Sequence, residues 1–171
     1  MLPRPRRSVL FLPASNPRAL AKARTLDCDV VVLDLEDAVA PDMKVEARDA
    51  AVAAVGEGGF GHRELVVRIN TLESGFGAAD CLALRGKGAA VLIPKVDDAG
   101  DVARYAGLLE GAPLWAMVES PRAALDPLGL AAARGLAALV AGTNDLAKAM
   151  HARPAPDRLP LLGFLAAIVA A

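Results

Sequence analysis

The sequence predicts an α/β chain built of repeated strand-helix units, and two patterns carry that class. Short β-branched runs alternate with Ala/Leu-rich segments along all 171 residues, as parallel strands covered by helices require. Five consecutive strand candidates also end in polar or charged residues, the arrangement of a β/α barrel, whose ligand site is built at the C-terminal strand ends. Residues 8–12, 30–35, 65–69, 90–93, 114–118 and 136–141 read as strands, giving six units. The first helix opens at Ser15-Asn16-Pro17, where Asn16 can cap and Pro17 suits the first turn. The next begins near Asp42, and others cover 77–84, 98–109, 128–133 and 159–171. No linker or low-complexity stretch separates them, so a single domain over 1–171 is expected.

A 54% hydrophobic composition suffices for one sizeable core. Lys+Arg of 19 against Asp+Glu of 20 gives a net charge of −1 and no global field for nucleic acid. Cys28 and Cys81 lack CxxC or metal-ligand spacing and read as reduced buried thiols of a cytoplasmic protein. Arg4, Arg6 and Arg7 precede an apolar run too short for a signal peptide, which Pro13 interrupts. The terminal "LPLLGFLAAIVAA" falls short of the ~20 residues of a membrane span and reads as a buried helix. No membrane partner is expected.

The strand ends carry the chemistry. "VVVLDLEDAVAPD" runs from apolar residues directly into Asp34, Glu36 and Asp37. Carboxylates crowded at a strand end repel and lose hydration, so a metal, a cationic group or bulk water should compensate them. Arg68 and Asn70 follow the third strand, Lys95 the fourth, Glu119 the fifth, and Asn144 and Asp145 the sixth. Carboxylates from several strands could share a divalent cation, with Arg68 and Lys95 holding an anionic substrate.

The blocks "RSVLFLPASNPRALAKA", "VVVLDLEDAVAPD", "VVRINTLESGFGAAD", "VLIPKVDD", "MVESPRAAL" and "AGTNDLAK" resemble, in order and spacing, the citrate lyase beta-subunit-like (malyl/citramalyl-CoA lyase-like) branch of the HpcH/HpaI aldolases. The resemblance implies a TIM (β/α)8-type barrel and a Mg2+-dependent carbon-carbon lyase that cleaves or forms a citryl-, malyl- or citramalyl-CoA, giving an oxo acid and acetyl-CoA. It implies that Glu119 and Asp145 ligate the metal and that Arg68 binds the carboxylate or carbonyl of the oxo-acid half. Glu36 and Asp37 then read as partners of the metal's waters, and Lys95 as a substrate contact. It also implies a homo-oligomer, trimer or hexamer. Two other readings stand: a non-catalytic, incomplete barrel that keeps metal and oxo-acid binding, and an aldolase acting on free 2-oxo acids.

Some features depart from that pattern. Pro13-Ala14 stands where Pro-Gly is usual, which bears on the approach of CoA, and Thr71 and Ala141 are minor changes. A closed barrel takes about 250 residues, so this chain is expected to stop after about six units, with two open sheet edges and little or no lyase activity alone. Arg4, Arg6 and Arg7 are possible contacts for CoA phosphates. "GEGGFG" fits the dinucleotide fingerprint in letters only, because it precedes a strand and opens no helix. His62 and His151 stand apart from the strand ends, so no histidine base is expected.

Overall fold

The computed structural model describes residues 6–153 and 155–171. Six strands form one sheet in sequence order, β1 (Val9–Pro13), β2 (Val30–Asp34), β3 (Glu64–Arg68), β4 (Ala90–Ile93), β5 (Leu114–Val118) and β6 (Leu136–Ala141). The alternation of strand and helix predicted from sequence is therefore present, with every strand within about one residue of its expected start. β1 and β6 end the order, so the sheet is open and barrel closure is not seen among the described residues. Contacts divide the chain into two compact units, one up to Val91 and one from Leu92.

In the first unit β1, β2 and β3 pair in parallel, with Pro13 opposite Asp34 and Asp34 opposite Arg68. β2 is buried along its whole length, which is why its run Val30–Leu33 shows no polar alternation. Helix α1 (Pro17–Ala23) is capped as expected: Asn16 Oδ1 accepts the Ala19 N–H at 3.1 Å. The helix expected near Asp42 begins with a 3-10 turn at Pro41–Met43 and continues as α2 (Lys44–Glu57). Its buried face is Ala47, Ala51 and Ala54, small residues that let the helix lie close to its neighbours. Gly58 then leaves the helix with φ 66°, and Gly59 and Gly61 also adopt positive φ, so the Gly-rich run is a turn leading into β3. Helix α3 (Gly77–Leu84) follows β3 in this unit. A Cβ on Gly77 would lie 2.3 Å from the Thr71 carbonyl oxygen, so only glycine fits there.

In the second unit β5 and β6 pair in parallel, with a register shift at Leu114/Trp115. Helix α4 (Ala99–Leu109) buries Val102, Tyr105 and Leu109, and Asp98 caps it by accepting the N–H groups of Gly100 and Asp101. The single helix expected over 128–133 is instead two short ones, α5 (Pro121–Leu125) and α6 (Pro127–Ala131). Pro127 ends any continuous helix, and Ser120 and Asp126 cap the two pieces. Helix α7 (Thr143–Ala149) follows β6 and had no separate signal in the sequence. The terminal segment forms a 3-10 turn at Leu159–Leu161 and helix α8 (Leu162–Ala170). The expectation that this helix is buried is not met. None of its residues is buried and Val169 is 88% exposed, because it packs on α5, α6 and β6 from one side only. No helix is long and apolar enough to cross a membrane among the described residues.

Candidate active site

In the first unit the three carboxylates after β2 are gathered by Arg68, at the end of the adjacent strand. Arg68 Nε and Nη2 donate to the two oxygens of Asp34 at 2.8 and 2.5 Å. Its Nη1 lies 2.9 Å from Glu36 Oε2 and 3.3 Å from Asp37 Oδ2. Asp34, Glu36 and Arg68 are buried, whereas Asp37 is exposed. Burial alone would push the guanidinium pKa down, but the hydrogen bonds and charge of Asp34 and the charges of Glu36 and Asp37 outweigh it and raise it. Arg68 therefore stays charged at any working pH. The Arg68 guanidinium also lies 5.8 Å from the centre of the Phe11 ring, a cation-π contact from β1.

Two buried polar groups that sequence reasoning missed shape this cluster. Asp34 accepts the N–H groups of Glu36 at 2.8 Å and Ala38 at 3.2 Å, so it folds the turn that carries Glu36 and Asp37. Lys44 Nζ donates to the Leu35 and Glu36 carbonyls at 2.7 and 2.6 Å. Its burial lowers the ammonium pKa, against the opposing attraction of Asp34, Glu36, Asp80 and Asp37. Asp80, fully buried, takes Arg48 Nε at 2.6 Å and both Asn70 N and Asn70 Nδ2, at 2.9 and 2.7 Å, which fixes the residues after β3. A lysine or an aspartate on a helix usually marks a solvated face, so no sequence signal separated Lys44 or Asp80 from ordinary surface charge.

In the second unit Glu119, at the end of β5, is 5% exposed and accepts the Lys95 backbone N–H at Oε1 over 2.6 Å. Lys95 adopts a left-handed conformation, φ 51°, which turns that N–H toward Glu119 while its side chain is exposed. The structure thus assigns Lys95 a main-chain contact that its residue type did not suggest. The adjoining loop is tied by Ser120 Oγ, which donates to Asp97 Oδ1 at 2.5 Å. Gly142, just after β6, lies so near that a Cβ there would stand 2.6 Å from Glu119 Cβ and 3.0 Å from Oε2. Asp145 is half-buried in the first turn of α7. No cage of three or more Asp, Glu, His or Cys side chains exists among the described residues. A buried glutamate and a partly exposed aspartate suit Mg2+, which is held by one or two carboxylates and keeps several waters.

The N-terminal arginines face the other way. Arg6 pairs with Glu64 at 2.7 Å and Arg7 with Asp29 at 3.1 Å, at the N-terminal ends of β2 and β3, opposite to Asp34 and Arg68. The expectation that they meet CoA phosphates is corrected accordingly: both charges are already committed to carboxylates at the far edge of the strands. Arg4 lies outside the described residues. Ala14, where a glycine was of interest, is fully buried and has no positive φ, so its Cβ is accommodated.

Sequence comparison decides the family. The profile of the HpcH/HpaI aldolase/citrate lyase family matches residues 7–171. This chain belongs to that family. It is 44% identical over 158 residues to a (3S)-malyl-CoA thioesterase of Cereibacter sphaeroides, covering 92% of this chain and 55% of that relative. It is 40% identical over 103 residues to an L-malyl-CoA/beta-methylmalyl-CoA lyase of the same species, covering 58% of this chain and 32% of that protein. The chain thus spans about half the length of the malyl-CoA thioesterase it matches. Among solved structures, the citrate lyase beta subunit of M. tuberculosis complexed with oxaloacetate and magnesium superposes with a TM-score of 0.78 at 31% identity, covering 95% of this chain and 73% of that one.

Proposed function

We propose that the chain carries the Mg2+- and carboxylate-binding residues of an enzyme acting on a malyl-type CoA thioester. Glu119 is the observation that carries this reading: a buried carboxylate, 5% exposed, fixed by a main-chain N–H and packed against a residue that must be glycine. Glu119 and Asp145 would hold the ion. When bound, Mg2+ supplies Lewis-acid polarisation of the substrate oxygens it ligates. Lys95 orients Glu119 through its N–H, and its exposed side chain would contact an anionic substrate. Arg68 has committed Nε and Nη2 to Asp34, so the substrate's carboxylate or carbonyl would meet it through Nη1, in exchange for Glu36 or Asp37. Glu36 and Asp37 in this reading keep the guanidinium oriented until substrate arrives.

Two reactions fit residues of these types. Hydrolysis transfers a water oxygen to the thioester carbonyl carbon, breaks the C–S bond and releases malate and protonated CoA thiol. It is favoured by the 44% match over 92% of the chain. Carbon-carbon cleavage removes the hydroxyl proton, breaks the bond beside it and releases glyoxylate and the enolate of acetyl-CoA, which is then protonated. It is favoured by the 40% match to a lyase. Malyl-CoA incubated with the protein and Mg2+, followed for free thiol and for glyoxylate in parallel, separates them. Thiol without glyoxylate means hydrolysis, and glyoxylate without thiol means lyase chemistry. Neither product, or turnover unaltered in Glu119→Gln, would overturn the reading.

A further inference from the structure

We propose that Asp97 is a positioning residue for Glu119: together with Ser120 it latches the loop after β4 to the turn after β5, and so keeps the Lys95 N–H on the Glu119 carboxylate. Every residue of the latch lies in the second unit. Lys95 adopts φ 51°, a left-handed conformation that costs a lysine free energy because its Cβ crowds the following carbonyl oxygen. Such a conformation persists only where the surrounding contacts over-determine it. Its own N–H is engaged, donating to Glu119 Oε1 at 2.6 Å. On the far side of Lys95 the chain is anchored again, since Val96 is fully buried and Asp97 Oδ1 accepts the Ser120 hydroxyl at 2.5 Å.

The bond between Ser120 and Asp97 is fixed at both ends. Ser120 Oγ accepts the Ala123 N–H at 3.1 Å as the cap of α5, which leaves its proton for Asp97. Asp97 is held by its own N–H, which donates at 2.9 Å to Oδ2 of Asp101 in the first turn of α4. Neighbouring residues of the β5 turn, Glu119 and Ser120, thus grip Lys95 and Asp97 of the loop after β4. Farther out, Arg122 reaches Asp98 at 3.0 Å, but both side chains are exposed and such a pair contributes little. Without the Asp97 bond Lys95 is free to return to negative φ, and that rotation carries its N–H away from Glu119. Gly142 bounds Glu119 from β6, where even a Cβ would stand 2.6 Å from Glu119 Cβ, so the loop after β4 is the neighbour whose shift changes where the carboxylate points. Mg2+ demands near-ideal octahedral geometry and tolerates such a shift poorly. The consequence for Mg2+ rests on the function proposed above, but the latch itself does not.

The test joins amide hydrogen exchange, read by NMR on the full chain without metal, to calorimetric titration with Mg2+. It is run on wild type, Asp97→Ala, Asp97→Asn, Lys95→Gly, the double variant Lys95→Gly/Asp97→Ala, and Arg122→Gln. In Asp97→Ala the Lys95 amide should exchange at least about tenfold faster, and Mg2+ should bind about tenfold more weakly. Asp97→Asn keeps an acceptor for the Ser120 hydroxyl and the size of the side chain, so it should fold as wild type does and show both effects at several-fold. Glycine takes positive φ without strain. The double variant therefore has no left-handed strain to release, and its Mg2+ affinity should return to within about threefold of Lys95→Gly. An Asp97 that merely stabilised the fold would give no such rescue. Arg122→Gln breaks only the exposed pair and should bind Mg2+ within about twofold of wild type. Unchanged exchange at Lys95 in both Asp97 variants, Mg2+ affinity within about twofold of wild type in Asp97→Ala, or no rescue in the double variant would overturn the proposal. No Mg2+ binding by wild type would overturn the function proposed above instead, and the Lys95 amide would still decide the latch.

Discussion

Replacing Asp34 by Asn removes one charge from the centre of the Arg68 cluster at almost constant side-chain size. Each Asp34 oxygen serves two donors: Oδ1 takes Arg68 Nε and the Glu36 N–H, and Oδ2 takes Arg68 Nη2 and the Ala38 N–H. An amide keeps only one such oxygen. Whichever way it turns, its NH2 group faces a guanidinium donor and a backbone donor, so two hydrogen bonds are lost. Asp34 is 2% exposed and Arg68 8%, so neither group regains water readily. Breaking a buried charge pair costs about 3–5 kcal/mol. Here Glu36 at 2.9 Å and Asp37 at 3.3 Å still neutralise the guanidinium, which puts the expected loss near the lower end, about 3 kcal/mol. Urea unfolding of wild type, Asp34→Asn, Arg68→Met and the double variant gives both the loss and the coupling, provided the slopes agree. A coupling of about 2 kcal/mol is expected. A loss below about 1 kcal/mol, or no coupling to Arg68→Met, would refute the view that Asp34 acts through Arg68.

Gly142→Ala should lower Mg2+ affinity about tenfold, because its Cβ falls 2.6 Å from Glu119 Cβ. In the same calorimetric series Gly107→Ala, on the exposed side of α4 with nothing within 4 Å, should leave Mg2+ binding unchanged and stabilise the fold slightly, by about 0.5–1 kcal/mol. Unchanged Mg2+ affinity in Gly142→Ala would contradict the role given to that close approach. Burial, aided by the Asp80 charge, pushes the Cys81 thiol up to about 11 from its ordinary 9.0. Well below pH 9 the thiol is neutral in both states and contributes no slope. Between about 9 and 11 the unfolded chain ionises first, so stability falls as pH rises, and Cys81→Ala should show a shallower fall over that window in thermal melts. Identical slopes would remove Cys81 from the alkaline titration.

Much of the fold was legible because each strand is either a continuous apolar run, as in β2, or a run that stops at a charged residue, as at Arg68 and Glu119. Helix starts were legible where a capping side chain stood at the right place, at Asn16 and Asp98. The division of 121–131 into two helices turned on Pro127 and the caps around it, which a composition reading passed over. The terminal helix was misjudged because hydrophobicity reports what a segment could bury, whereas exposure depends on what packs against it. The sequence marked the strand-end residues of the site but not their partners. Lys44 and Lys95 act through main-chain groups, Lys44 on carbonyl oxygens and Lys95 by its own N–H. Side-chain chemistry carries no trace of such contacts.

The carboxylates that follow β2 posed a question of compensation, and the two units answer it differently. After β2 a cation does the work: Arg68 meets all three side chains, and Lys44 closes the turn from beneath by binding the carbonyls of Leu35 and Glu36. After β5 a main-chain N–H also contributes, since Lys95 donates its backbone N–H to Glu119 Oε1. The difference has a chemical consequence. A carboxylate balanced by a guanidinium has lost most of its attraction for Mg2+. On this ground Asp34 and Glu36 are poor candidate ligands for the ion, although both are deeply buried. Substrate reaching Arg68 must displace a carboxylate already present, so the Arg68 contact favours a substrate group that is itself anionic and bidentate over a neutral carbonyl.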